Sequence, residues 1–148
     1  MPGYTDLICQ ALSKVQDSYA PYSHYHVAAA LRSSDGRIFH GINIENAAYT
    51  PTVCAERTAF FKAVSEGVRS FDAIAIVAAA KSDLPARMQA PAAVPSYPTP
   101  CGVCRQVMRE FCDPDTFTVI LARSADDFKV YTLKELLPES FGPEFLQT

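Results

Sequence analysis

Three of the chain's five cysteines fall in two short runs, Thr52-Val53-Cys54-Ala55-Glu56-Arg57 and Pro100-Cys101-Gly102-Val103-Cys104-Arg105-Gln106. Each run reads as the first turn of a helix. A catalytic zinc ion takes three ligands from protein and keeps its fourth position for water. Cys54, Cys101 and Cys104 are candidates for those three ligands. Glu56 has no place among the ligands, but it lies close enough in sequence to exchange protons beside them.

Spacing constrains how this can work. Residues three apart share a helix face, so Cys101 and Cys104 can converge on one ion. The same spacing brings the Arg57 guanidinium beside Cys54. Cys54 and Glu56 are two apart and diverge on a regular helix. They can serve one site only if Cys54 stands at the very start of its helix, where the turn aims its sulfur separately. Helix N-termini also favour thiolates, because unpaired N–H groups and the dipole there stabilise negative charge by about 0.3–1 kcal/mol at exposed sites. Three thiolates around Zn²⁺ leave a formal charge of −1, which opposes ionisation of bound water. Two helix starts and Arg57 withdraw part of that charge.

The competing reading is a closed structural zinc site with four protein ligands. Its fourth ligand would come from Cys9, Cys112, His24, His26 or His40, none of which has helix-start spacing. Cys9 falls beside an apolar helical stripe and Cys112 at a helix end, positions that suit core thiols. The histidines lie near strand ends and read as packing or hydrogen-bonding residues. Residue types and spacing favour the open catalytic site, with the closed one as the alternative.

The elements that must position these residues are legible from periodicity. Leu7, Ile8, Ala11, Leu12 and Val15 recur on one helical face, with Thr5 as N-cap and a stop near Tyr19-Ala20-Pro21-Tyr22-Ser23. Strands are expected over His26 to Leu31 and Arg37 to Asn43, joined by Asp35-Gly36, a strong hairpin signal. Ala28, Ala29 and Ala30 are poor strand formers, and their small size implies close approach by a helix. A second helix, capped by Thr52, runs through Ala59, Phe60, Ala63 and Val64 to a left-handed stop at Gly67. Phe71 to Ala80 suits a central strand buried on both faces. Ser82 to Thr99 holds Pro85, Pro91, Pro95 and Pro98 and reads as an extended surface loop. A helix from Cys101 to about Phe111, strands over Thr116 to Ala122 and Lys129 to Thr132, and a short helix over Leu133 to Leu137 complete the chain. Helices separating apolar strands indicate a layered α/β domain.

Composition sets the outer bounds. The chain has 148 residues, which fits a single domain spanning 1–148. With 49% hydrophobic and 20% charged residues it reads as globular. A net charge of −3 offers no electrostatic case for a nucleic-acid polymer or an anionic membrane as partner. The first residues hold no basic region and no long apolar run, so a cytoplasmic location with reduced thiols is expected.

Cys54-Ala55-Glu56 followed by Pro100-Cys101-Gly102-Val103-Cys104 resembles the motif of the zinc-dependent nucleoside deaminases in its three-cysteine form. Ala20-Pro21-Tyr22-Ser23, Gly41-Ile42-Asn43-Ile44-Glu45-Asn46-Ala47 and Leu136-Leu137-Pro138 extend the likeness over most of the chain, and together they resemble the small homotetrameric branch of the cytidine deaminases. The resemblance implies a three-layer α/β/α sandwich around a mixed, roughly five-stranded sheet. It implies one zinc per subunit held by Cys54, Cys101 and Cys104, with activated water attacking C4 of cytidine or deoxycytidine in pyrimidine salvage. Glu56 would protonate the ring nitrogen and then the departing ammonia. Asn43 and Glu45 would hydrogen-bond the ribose, and their separation by two residues puts them on one side of a strand. Tyr25 would pack on the base, Ala55 would contact substrate, and Phe141 would reach a neighbouring subunit's site.

Two departures stand out. Ala28 occupies a position where relatives usually carry glycine, and the segment from Ser82 to Thr99 is long for this family. Deaminases of other aminopyrimidine nucleosides, such as the blasticidin type, share the zinc motifs, but Asn43-Ile44-Glu45-Asn46 favours a ribose reader. A polynucleotide-editing enzyme would show basic and aromatic surface. A non-catalytic zinc-stabilised interaction module would require a fourth protein ligand.

Overall fold

The computed structural model describes residues 3–80 and 97–147. Its elements follow in the order α1 (Tyr4–Leu12), β1 (Tyr25–Ser33), β2 (Ile38–Ile42), α2 (Ala55–Ser65), β3 (Phe71–Ala80), α3 (Gly102–Phe111), β4 (Thr118–Ala122), β5 (Phe128–Thr132) and α4 (Leu133–Leu136), with 3-10 turns at Val15–Asp17 and Pro143–Phe145. The strands form one mixed sheet in the order β2-β1-β3-β4-β5. Only β3 and β4 pair in parallel; the other neighbours are antiparallel. Most of the expected Ser82 to Thr99 loop falls on residues 81–96, which lie outside the described residues.

Asp35-Gly36 makes the β1–β2 turn, with Gly36 at φ 92° and its N–H donating to the Ser33 carbonyl. The β3 run Ala73-Ile74-Ala75-Ile76-Val77 then sorts its side chains by alternation. Ala73, Ala75 and Val77 join Ala28 and Ala30 of β1 in a core built with Leu7, Ile8 and Ala11 of α1. Ile74 and Ile76 join Ala29 and Leu31 in the opposite core with Ala59, Phe60 and Ala63 of α2 and Met108 of α3. The sheet is therefore sandwiched between α1 on one face and α2 with α3 on the other. The alanine-rich strand and the close helix expected from it are both present.

Several local expectations are corrected. Helix α1 begins at Tyr4, so Thr5 lies inside it and does not cap it; Gly3 is the N-cap and offers no side chain. Tyr4 packs edge-on against Phe128 with ring centroids 6.3 Å apart, and the helix starts two residues earlier than a Thr5 cap would give. The helix ends at Leu12, well before Tyr19, and the 3-10 turn delivers Val15 to the same core. Thr52 does not cap α2; that position belongs to Cys54, while the Thr52 hydroxyl accepts from the Asn46 N–H at 3.0 Å. Cys9 is exposed, because Leu7, Ile8 and Ala11 form the buried stripe and position 9 falls off it. Cys112 is buried, as expected of a core thiol, and burial pushes its pKa up. Gly67 takes the left-handed stop after α2 at φ 90°.

Gly41 of β2 is where sheet and helix come nearest. A methyl group there would lie 2.1 Å from the Ala55 carbonyl oxygen and 2.6 Å from the Ala59 nitrogen, both main-chain atoms of α2. Hydrogen in place of Cβ lets the start of α2 lie directly on β2, which fixes the height of Cys54 above the sheet.

Gly41→Ala is expected to destabilise the fold by about 1–3 kcal/mol through forced backbone displacement. Gly36→Ala, which meets open space and only the strain of positive φ, should cost about 1 kcal/mol. Urea midpoints of the two variants check the order, and Gly41→Ala should also weaken metal retention.

Candidate metal and active site

Cys54 and Cys101 are the N-cap residues of α2 and α3, both with extended backbone. This meets the demand that spacing imposed. Because Cys54 stands outside the helical repeat and Glu56 inside it, both side chains reach one site. Chain topology explains why the two helix starts meet. β2 and β3 run in the same direction, each antiparallel to β1 between them, and α2 and α3 follow their carboxyl ends on the same face of the sheet. In open α/β sheets that edge is where ligands bind.

The Cys54 and Cys101 sulfurs are 3.9 Å apart, those of Cys101 and Cys104 3.5 Å, and all three lie within 4.8 Å of one another. Thiolates bound at about 2.3 Å to a tetrahedral zinc ion stand about 3.8 Å apart, so the donor set fits the ion. Among the described residues no fourth His, Cys, Asp or Glu joins the cluster. Cys9 is on the surface of α1, Cys112 is in the core beyond α3, and His40 bonds Gln10 at 2.8 Å. The closed four-ligand arrangement thus finds no partner there.

Electrostatics separate the members of the cluster. The neighbouring Cys104 thiol is the largest influence holding the Cys54 thiol down at about 5, and Arg57 adds to it against the cost of burial. The Arg57 Nη2 donates to Cys54 Sγ at 3.3 Å, as the spacing suggested. Cys104 is pushed up, first by its proximity to Cys54 and then by burial. Of this pair Cys54 is the thiol that ionises more readily. Glu56 is 4% exposed. Burial pushes its carboxyl up to about 7, and the charge on Cys54 acts in the same direction.

A cavity of ≈ 280 Å³ opens over the cluster. Tyr25, Asn43, Glu45, Cys54, Ala55, Glu56 and Cys101 all line it, so seven of the residues singled out from sequence share one space. Phe141 is not among them; it stacks on Phe145 at a centroid distance of 5.3 Å and is 54% exposed. Asn43 and Glu45 lie beyond the end of β2, not on a regular strand, and the Ile44–Val53 bridge between them and α2 keeps them on one side. Asn43 is locked: its Oδ1 accepts from Val27 N–H at 2.9 Å and from the Ser18 hydroxyl, and its Nδ2 donates to the Tyr25 carbonyl at 2.8 Å. One Nδ2 hydrogen remains free of these three bonds.

Glu45 accepts from the N–H groups of Tyr22 and Ser23 at 2.9 and 3.1 Å and from the Ser23 hydroxyl. Those donors, the hydroxyl first, lower its pKa. Sequence reasoning assigned no role to Ser23. The available signal was Pro21, which keeps Ala20 out of helical geometry, so the amides of Tyr22 and Ser23 have no preceding helical turn to bond and are free for a side-chain acceptor. Pro98 and Thr99, read from sequence only as the end of the Ser82 to Thr99 surface loop, line the cavity just before Cys101.

Comparison with known proteins places these features in a family. The model for the cytidine and deoxycytidylate deaminase zinc-binding region matches residues 3–120. A cytidine deaminase of Sporosarcina psychrophila is 45% identical over 140 residues, covering 95% of this chain and 92% of the relative. One from Halalkalibacterium halodurans is 46% identical over 138 residues, covering 93% of each. The crystal structure of a cytidine deaminase from Burkholderia pseudomallei superposes with a TM-score of 0.80 at 40% identity, covering 94% of this chain and 99% of that one.

Thiol chemistry offers a check on the metal-free site. Cys54 should be alkylated by iodoacetamide at a rate that levels off above about pH 6, since a thiol with pKa about 5 is already thiolate there. An ordinary thiol would keep gaining rate toward pH 9. Cys112 should label last, and added zinc should protect Cys54. Peptide mass spectrometry across pH reads all three outcomes.

Proposed function

The chain belongs to the cytidine and deoxycytidylate deaminase family, and from that premise we propose that it hydrolyses cytidine and deoxycytidine to uridine and deoxyuridine, releasing ammonia. The observation that carries this reading is a buried carboxylate, Glu56, opening on the same cavity as a three-cysteine cluster with no fourth protein donor among the described residues. Cys54, Cys101 and Cys104 would hold zinc, which would supply the Lewis acidity that lowers the pKa of water toward neutrality.

The remaining work belongs to the chain's own side chains. Glu56 takes the proton released by the water and delivers it to the ring nitrogen next to C4. It then carries the proton of the newly added C4 hydroxyl to the exocyclic amino group, so that the C4–N bond breaks, ammonia leaves and the C4 carbonyl forms. A carboxyl kept from water by burial is suited to hold and release a proton near neutrality. Arg57 draws negative charge from Cys54. Glu45, kept ionised by its three donors, accepts from a ribose hydroxyl, and the free Nδ2 hydrogen of Asn43 donates to the sugar. Tyr25 lies against the base, and Ala55 completes the floor of the cavity.

We also assign Phe141 to a neighbouring subunit's cavity within a homotetramer, each subunit a single domain holding one zinc. Its exposure, its stacking on Phe145 and the exposed Leu146 support that assignment. No helix among the described residues is long and apolar enough to cross a membrane, and pyrimidine salvage in the cytoplasm is the proposed setting.

Loss of cytidine absorbance, followed beside a Glu56→Gln variant of equal zinc content, tests the mechanism. The variant should retain zinc and lose about 10²–10⁴-fold in kcat. If the zinc-loaded parent leaves both cytidine and deoxycytidine unchanged, the substrate assignment fails, and other aminopyrimidine nucleosides become the next substrates to assay. Glu45→Gln should keep zinc and kcat while raising KM about tenfold, the cost of one charge-assisted hydrogen bond to the sugar.

A further inference from the structure

One wall of the cavity lacks main-chain support. Pro98 and Thr99 form it, immediately ahead of Cys101. Residues 97–100 belong to no helix or strand, and among the described residues no main-chain to main-chain hydrogen bond ties them to another element. The facing wall is stitched down through Asn43 and the Ile44–Val53 bridge. Side chains must therefore hold the Pro98–Thr99 wall.

At one end, the Arg105 Nε donates to the Pro100 carbonyl at 2.8 Å. At the other stands Tyr97. Its hydroxyl donates to Asp127 Oδ1 at 2.6 Å. The Lys129 ammonium lies over its ring at 4.6 Å from the centroid and the Arg123 guanidinium at 5.3 Å, both within cation–π range. Arg123, Asp127 and Lys129 all belong to the turn joining β4 to β5 or its flanks. That turn is itself ordered by the Arg123 N–H bond to the Asp127 carbonyl at 2.8 Å and by the Arg123–Asp127 ion pair. The Tyr97 carbonyl in turn accepts from the Thr99 hydroxyl at 3.4 Å.

We infer that Tyr97 is a positioning residue for the reaction, clamping the Pro98–Thr99 wall to the β4–β5 hairpin so that the cavity is formed before the nucleoside arrives. The inference rests on the reading that this cavity takes the nucleoside. Pre-organisation acts on binding, because a loose wall must be ordered at the moment of association. Glu56 and Cys54 stand at the start of α2, away from the clamp, and on the wall's own side the Arg105 bond to the Pro100 carbonyl anchors the chain ahead of Cys101, so loss of the clamp falls on binding rather than on the chemical step.

The experiment is a kinetic split on the zinc-loaded protein. Tyr97→Ala should raise KM for cytidine about tenfold while kcat stays within about twofold and zinc content equals the parent's. Tyr97→Phe, which keeps the ring under both cations, should recover most of that loss. Asp127→Ala and Lys129→Ala lie outside the wall segment, so they report on the clamp even if Tyr97→Ala fails to fold. Each should raise KM in the same direction, and Asp127→Ala should add little on top of Tyr97→Ala. Amide exchange at Thr99 should quicken in the Tyr97→Ala protein. An unchanged KM, or a loss expressed in kcat or zinc content, overturns the inference. A zinc-loaded parent that turns over no nucleoside overturns the underlying substrate reading instead, and amide exchange then decides whether Tyr97 holds the wall.

Discussion

The structure depends on holding three thiol groups within contact of one another with no covalent bond between them. Three thiolates at that separation repel strongly, and the burial of Cys104 adds to the cost. The fold offsets this by ending two strands in the same direction and starting a helix after each. Cys54 and Cys101 then sit at two helix N-termini, where unpaired N–H groups favour negative charge. Arg57, one turn into α2, adds a full positive charge beside Cys54. A bound cation completes the balance. The metal site is thus a consequence of topology as much as of ligand identity.

Helix α2 must consequently be held at a fixed height above the sheet, and small side chains set that height. Gly41 brings β2 against the main chain of α2 at Ala55 and Ala59. On the opposite face Ala28, Ala30, Ala73 and Ala75 let α1 settle against the same strands. A sheet lined with alanine contributes less apolar area per residue than one lined with leucine or isoleucine. It gains close, well-defined helix–sheet distances in return, which a cluster tolerating only fractions of an ångström requires.

How far the sequence revealed this varies with the range of the interactions involved. The β3 strand and the Asp35-Gly36 turn follow from local pattern, and both came out where the residues placed them. The cysteine triad was legible because spacing at a helix start carries its own geometry. Thr5 and Thr52 misled as caps because each has a cap's chemistry, while packing by Tyr4 and the demand for Cys54 at the helix start decided the boundaries. Asn43 and Glu45 were correctly paired for an incomplete reason: a bridge at Ile44, made with residue Val53, keeps them together after the strand has ended. Gly41 and Tyr97 were invisible in this sense, since their neighbours in space come from α2 and from the β4–β5 hairpin.

The two glutamates of the cavity show how environment divides labour between like side chains. Glu56 is enclosed, and burial raises its carboxyl toward neutrality. Glu45 receives two N–H groups and a hydroxyl, which lower its pKa and keep it ionised. A carboxyl near neutrality can both accept and surrender a proton in one turnover, whereas one held ionised is a constant acceptor and a poor acid. Under the roles proposed for them, an exchange would leave proton transfer to a group unable to return its proton and sugar binding to one that loses its charge on mild acidification. On the proposed mechanism the burial of Glu56 therefore does more than exclude water: by raising the carboxyl it keeps the protonated state within reach of the reaction.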